Sequence, residues 1–291
     1  MDAVITYVDG QDPLWLKDYA SAVGGNVTAK RFRDWGTLRF LLRGIERHMP
    51  FIENVHLVVA RESQIPSWAG GRLKPVLHRD IIPGEYLPTF NSTTIEMFLH
   101  RIPGLSERFL YFNDDMFPVA DCTEEDFFPG GKAAMGFSRN LLVFGKFRHQ
   151  VRNSDRLARK ALGMCTSPFY RRPQHTCSPM LRSESEKMFA AVREDILGAL
   201  SAVRNSGNFN QYAFLDYLFY QGKAISRRIS NKHISMAATT PAIIRNFLSA
   251  PTHKLVCIND VNMPEGKAEQ YRSCLLEAFG KRYPQKSAFE K

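Results

Sequence analysis

Two adjacent carboxylates, Asp114 and Asp115, follow an apolar run, Phe109-Leu110-Tyr111-Phe112, with Asn113 between. Such a run reads as a buried strand. Two like charges at its end are costly to hold together unless a cation or a positively charged group neutralises them. In open α/β sheets the carboxyl end of a strand is also where ligands bind. The chemistry suggested is a divalent ion on Asp114 and Asp115 gripping phosphate oxygens. The bland alternative is a solvated turn, for which Asn-Asp-Asp serves equally well. The opening of the chain repeats the pattern: Ala3 to Val8 reads as a strand that ends at Asp9-Gly10, where glycine lets a ligand approach the backbone. Asp12-Pro13 then has the form of a helix cap. Near the far end, Lys254 to Ile258 is a third short strand, ending in Asn259-Asp260. If these strands share one sheet, their acids converge on one crevice.

Opposing charge is abundant, with a formal net charge of +10 and a pI near 9.4. Between Arg139 and Arg172 a single acid, Asp155, faces a block of arginines and lysines. Arg152 and Arg204 are candidates to clamp phosphate oxygens, since the planar guanidinium suits them. His175, in the cation-rich loop Arg171-Arg-Pro-Gln-His-Thr176, could act as general base or phosphate contact. Glu96 precedes His100 by four residues, a spacing that in isolation reads as a surface pair. It also follows the capping pair Asn91-Ser92, near a helical first turn whose N–H groups favour anions.

The elements that must position these residues alternate. After strand 3–8 come a helix over roughly 13–23 and a polar loop through Gly24, Gly25 and Asn26. A strong helix capped by Asp34 follows, with Leu38, Leu41, Leu42, Ile45 and Met49 at helical spacing and Arg33 and Arg39 around it. Strands at 54–60 and 73–77 and a helix from Ser92 to about Ile102 precede the acidic strand. This is the pattern of a mostly parallel, Rossmann-like α/β sheet flanked by helices. Beyond residue 118 helices are expected over 153–163, 184–203, 210–220 and about 264–279, with a strand within 135–144. The expected organisation is an α/β core over 1–130, a mostly helical subdomain over 131–250, and a strand and helix over 251–291 returning to the core.

Composition narrows the classes. Hydrophobic residues make up 44% and charged residues 23%, as in an ordinary globular protein. There is no apolar run of membrane-spanning length, and with the first strand so early no signal peptide is expected. Five widely spaced cysteines without a Cys-x-x-Cys pair fit a reducing cytosol. Walker A, kinase, Gly-x-Ser-x-Gly, His-Glu-x-x-His and Gly-x-Gly-x-x-Gly signatures are all absent. No nucleic-acid-binding module is present, so the positive charge points to an anionic substrate or an anionic membrane surface. A metal-ready acidic edge facing many cations suits a diphosphate, with Mg²⁺ or Mn²⁺ between carboxylates and phosphate oxygens.

The residues resemble the Stealth family of hexose-1-phosphate transferases, which includes capsular polysaccharide phosphotransferases, and the expected sheet is Rossmann-like or GT-A-like. The resemblance lies in four blocks: Ile5 to Asp12; Arg33 through Phe117, with Leu87-Pro-Thr-Phe-Asn-Ser92 and Tyr111-Phe-Asn-Asp-Asp-Met-Phe117; His175-Thr176 with the Arg204 and Asn210 region; and Cys257-Ile-Asn-Asp260. Chance agreement over the second block is implausible. The chain has Cys177-Ser178 where relatives often carry a proline after His-Thr, and Gly207-Asn208 where an acid is common. The resemblance implies Glu96, Asp115, His175 and Arg204 as catalytic residues, with Asp114 and Asp115 on the metal. It implies Asp9, Asp12 and Asp260 as nucleotide-sugar positions, and Gly10, Arg33, Arg39, Asn91, Ser92, Arg152 and Asn259 join them as candidate substrate-binding residues. The implied reaction transfers sugar-1-phosphate from a UDP-sugar to a glycan hydroxyl and releases UMP, in a bacterial cytoplasm or at the inner membrane face. The competing readings are a metal-dependent glycosyltransferase releasing UDP and a non-enzymatic basic adaptor.

Overall fold

A computed structural model describes residues 1–24, 32–259, 261 and 263–291. The expectations placed on Gly25, Asn26 and Asp260 lie outside the described residues. Strand β1 (Asp2–Thr6) leads into helix α1 (Pro13–Val23), and helix α2 (Leu38–His48) into β2 (Asn54–Val59) and β3 (Leu73–Leu77). Short helices α3 (His78–Ile81) and α4 (Ser92–Glu96) precede β4 (Arg108–Asn113), β5 (Met116–Pro118), β6 (Ala133–Ala134) and β7 (Phe137–Asn140). Next come α5 (Gly145–Ala161), β8 (Tyr170–Pro173), β9 (Ser178–Leu181), α6 (Arg182–Ala191), α7 (Arg193–Ala199) and α8 (Tyr212–Tyr220). The chain closes with β10 (Ala224–Ile225), β11 (Asn231–Ser235), α9 (Pro241–Ser249), β12 (Leu255–Asn259) and α10 (Glu265–Arg282).

The central sheet runs β3-β2-β1-β4-β9. Its first four strands are parallel, and β9 is antiparallel to β4. Side chains alternate across it as the pleat requires. Ala3, Ile5, Leu110 and Phe112 enter one apolar cluster, and Val4, Phe109 and Tyr111 the other. Helix α2 covers the first face with Leu38, Leu41, Leu42 and Ile45, while Ile95, Met97, Phe98 and Leu99 cover the second. Both faces are therefore dry, which is why these strands read as continuous apolar runs. A second sheet, β11-β12-β5, joins the C-terminal strand to the segment just after Asp115. Through β9 the middle of the chain is strand-paired to the core. Among the described residues no helix is long and apolar enough to cross a membrane.

Three local readings are corrected. Asp34 does not cap α2: Thr37 precedes the helix, and Asp34 Oδ1 accepts from Gly36 N at 2.8 Å. The helix expected over 92–102 breaks after Glu96 into a separate turn at Leu99–Arg101. Glu96 and His100 are not a surface pair, since both are buried and His100 packs against Phe189 and Phe214.

Candidate active site

Strand order reverses between β1 and β4, whose ends lie side by side with Thr6 opposite Asn113. At such a switch point the two chains diverge and leave a crevice. Here it is a cavity of about 360 Å³, lined by Thr6, Tyr7 and Val8 from one strand end and Asn113, Asp114 and Asp115 from the other. Gly10 is required for packing and not for ligand approach. Its N–H donates to Phe32 O at 3.0 Å, and a Cβ there would stand 2.1 Å from that oxygen. This close approach lays Arg33, Asp34 and Trp35 along the cavity wall. Asp34, Asp9 and Asp114 surround the Tyr7 hydroxyl; burial first, then these charges, push its pKa well above the ordinary phenol value. Trp15 packs against Phe32 and Phe90 with ring centroids 4.8 and 5.3 Å apart, and all three reach the cavity.

A second cavity, of about 860 Å³, is lined by Phe137, Arg172, His175, Tyr212, Arg228 and His233, among others. The two cavities share a wall of four residues, Asn113, Asp115, Arg204 and Asn259. On the far side of that wall His175 Nε2 lies 4.0 Å from Asp115 Oδ2, while Tyr212 Oη lies 3.4 Å from His175 Nδ1. The Asp115 carboxylate thus faces the Nε2 edge of this ring.

Loop 200–208 presents Arg204. Asn91 is fully buried; its Nδ2 donates to Ser201 O at 3.2 Å and Asn208 Oδ1 at 3.1 Å, and its Oδ1 accepts from Thr93 N at 3.2 Å. One amide thereby caps α4 and ties it to that loop. Ser92, the first residue of α4, accepts a hydrogen bond from Arg204 Nη2. Glu96 closes the same helix. Burial raises its pKa to about 7, against the lowering influence of the Arg204 charge and of the Gln211 N–H that donates to it at 2.9 Å.

Three buried polar atoms on the first cavity's residues, Arg33 Nη1, Arg204 Nε and Asp115 Oδ1, have no hydrogen-bond partner among the described residues. Buried polar groups are rarely left so. Two donors and one carboxylate oxygen left unpaired around one cavity are the complement of a phosphate group with its cation. The orphaned Asp115 oxygen beside Asp114 fits a hard divalent ion. A softer donor set adjoins it: one ligand atom from each of His175, His233 and Cys257 lies within 4.8 Å of the others, and Cys257 Sγ donates to Asp115 Oδ2 at 3.3 Å. Imidazole and thiol donors suit zinc-like ions, and carboxylates suit magnesium or manganese.

Several expected residues line neither cavity. Asp12 is engaged as the cap of α1, accepting from Leu14 N at 2.9 Å, from Gln64 Nε2 at 2.8 Å and from Ser63. Arg39 stacks over Trp68 at 5.1 Å, Arg152 lies within α5, Asn91 is buried as described, and Glu96 stands behind Arg204. Asp9 reaches the site through Tyr7. The residues the sequence reading missed are Tyr7, Trp15, Asp34 and Trp35 around the first cavity, and Tyr212, His233 and Cys257 around the second. An aromatic and an acid flanking Arg33 were a readable signal; the others depend on contacts between distant segments.

A crevice at the switch point of the sheet, opening onto a second cavity, is thus the frame of the site. The chain belongs to the Stealth family of polysaccharide phosphotransferases. Stealth protein CR2, conserved region 2, matches residues 31–135. The capsular polysaccharide phosphotransferase WcwK of Streptococcus pneumoniae is 30% identical over 341 aligned positions, covering 100% of this chain and 99% of its own. The receptor polysaccharide phosphotransferase WefC of Streptococcus oralis is 31% identical, with coverage of 100% and 99%. Among solved structures, the galactosyltransferase LgtC in complex with donor and acceptor sugar analogs superposes over 97% of this chain and 96% of its own at 13% identity, with a TM-score of 0.44.

Proposed function

We propose that the protein transfers sugar-1-phosphate from a UDP-sugar to a hydroxyl of a glycan acceptor, forming a phosphodiester and releasing UMP. The observation that carries this reading is the shared wall: Asp115 and Arg204 face the first cavity on one side and the His175 cavity on the other. The first cavity takes the donor, with the uracil against Trp15, Phe32 and Phe90 and the diphosphate against the unpaired N–H groups of Arg33 and Arg204. The second takes the acceptor. Arg172, Arg228 and Lys232 line it, with Asp115 as the acid among its described residues, a balance that suits an anionic glycan. Residues 1–130 then form the donor side, residues 131–250 the acceptor side, and residues 251–291 return to the core.

The acceptor oxygen bonds to the β-phosphorus as the bond to the bridging oxygen of UMP breaks. His175 Nε2 takes the hydroxyl proton, and Asp115 stabilises the resulting imidazolium. Arg204, held by Ser92 and by the Asn91–Asn208 network, meets the charge that builds on the transferring phosphate. Asp115, with Asp114, would hold Mg²⁺ or Mn²⁺, which supplies charge neutralisation at the diphosphate. The test is chromatography of the nucleotide released from a panel of UDP-sugars with Mg²⁺ and an oligosaccharide acceptor. UMP is expected. UDP would replace this reading with glycosyl transfer.

A further inference from the structure

Among the described residues eight large apolar side chains are exposed, and six of them fall between Leu141 and Phe169. Leu141, Leu142, Phe144 and Phe147 are 49%, 62%, 68% and 44% exposed, and Phe169 is 37% exposed. The segment is held in shape: β7 pairs with β8, with Asn140 opposite Tyr170, and Tyr170 Oη donates to Leu142 O at 2.9 Å. Arg139 lies over the Phe169 ring at 4.0 Å, so Phe169 sits by the end of β7 from which Leu141 and Leu142 continue. Apolar side chains gathered in this way mark an interaction surface.

Charge decides what covers it. No acid occurs between Asp126 and Asp155, while Arg139, Lys146 and Arg148 lie within the segment. Leucine and phenylalanine tips ringed by cations match an anionic lipid surface, where the apolar tips enter the acyl boundary and the cations meet headgroups. A second copy of a chain of net charge +10 would bring like charges face to face.

We infer that the surface formed by residues 139–148 and Phe169 docks the protein on an anionic bilayer, with the mouth of the second cavity held at the membrane. Phe147 belongs to both features: it is an exposed member of the patch and it lines that cavity. Docking places His175 within reach of a glycan anchored in lipid. That consequence rests on the acceptor reading above, whereas docking itself does not.

The experiment is co-sedimentation of the full chain, without substrates, with vesicles of phosphatidylglycerol and phosphatidylcholine in equal parts, or of phosphatidylcholine alone. Wild type is expected to partition onto the anionic vesicles about tenfold more than onto the neutral ones, and less at high salt. Leu142→Asp with Phe144→Asp should lower anionic binding by about tenfold or more at unchanged Tm. Arg139→Glu serves if that double variant fails to fold. Ile243→Asp, at an exposed apolar residue on α9, should bind as wild type. Equal binding by wild type and the patch variants, or equal binding to both vesicle types, would overturn the inference. So would light scattering that shows a wild-type dimer made monomeric by the double variant, with no vesicle binding.

Discussion

The two ends of the central sheet hold acids of opposite character. At the amino end Asp2 is completely buried, and every direction its carboxylate faces is filled: His56 at 3.0 Å, Asn54 at 2.9 Å and the Ser106 N–H at 2.9 Å. Although burial opposes ionisation, these hydrogen bonds together hold its pKa well below the usual range. At the carboxyl end Asp115 leaves one buried oxygen without a partner among the described residues. The same side chain is thus structural where its hydrogen bonds close upon the protein, and poised for a ligand where they do not. The fold gives up stability at one edge of the sheet and keeps it at the other.

The sharpest way to break this contrast is at the open end. Asp115→Asn should lower turnover roughly 1000-fold while leaving Tm within a few degrees, because no described residue hydrogen-bonds to Oδ1. Single-turnover assays paired with thermal unfolding check this, and a large loss of Tm would place Asp115 with Asp2. His175→Ala should cost roughly 100- to 10,000-fold in kcat, the range for a general base, with a smaller change in donor KM. Asp2→Ala should do the reverse: about 3 kcal/mol of stability lost, because buried His56 and half-buried Asn54 are left unpaired, at near-normal turnover of the folded fraction.

Acidity sharpens the contrast further, since Asp2 and Glu96, both buried, respond with opposite sign. Asp2 has a depressed folded pKa, so its stabilisation is present above its ordinary value of 3.8 and is lost as pH falls through the folded one. Glu96 has a folded pKa raised from 4.5 to about 7. Its stabilisation is complete below about 4.5 and is lost as pH rises through 7, up to roughly 3 kcal/mol. Chemical denaturation at pH 5 and pH 8 should show this loss in wild type and not in Glu96→Gln. The smallest effect is expected at Arg39→Ala, where only stacking on Trp68 is removed, about 0.5–1 kcal/mol of stability with turnover unchanged.

In the sequence Asp9, Asp12 and Asp115 look alike, each an acid just past an apolar strand. That regularity made the sheet, the crevice and the acidic edge legible, because strand ends are local features. What separates Asp12 from Asp115 lies elsewhere in the chain: Ser63 and Gln64 close around the first, and nothing described closes around Oδ1 of the second. Asn91 was legible as a helix cap, but not its tie to Asn208 and through it to Arg204. The second cavity was scarcely legible, since Phe137, His175, Tyr212 and His233 come from four segments without a shared local pattern.

The central claim, that a phosphate moves from one cavity to the other across Asp115 and Arg204, is tested most directly by following the phosphorus. With a UDP-sugar labelled at the β-phosphate, the label should appear in the glycan product, in a phosphodiester. If the label stays with the nucleotide while the sugar is transferred, the account is contradicted.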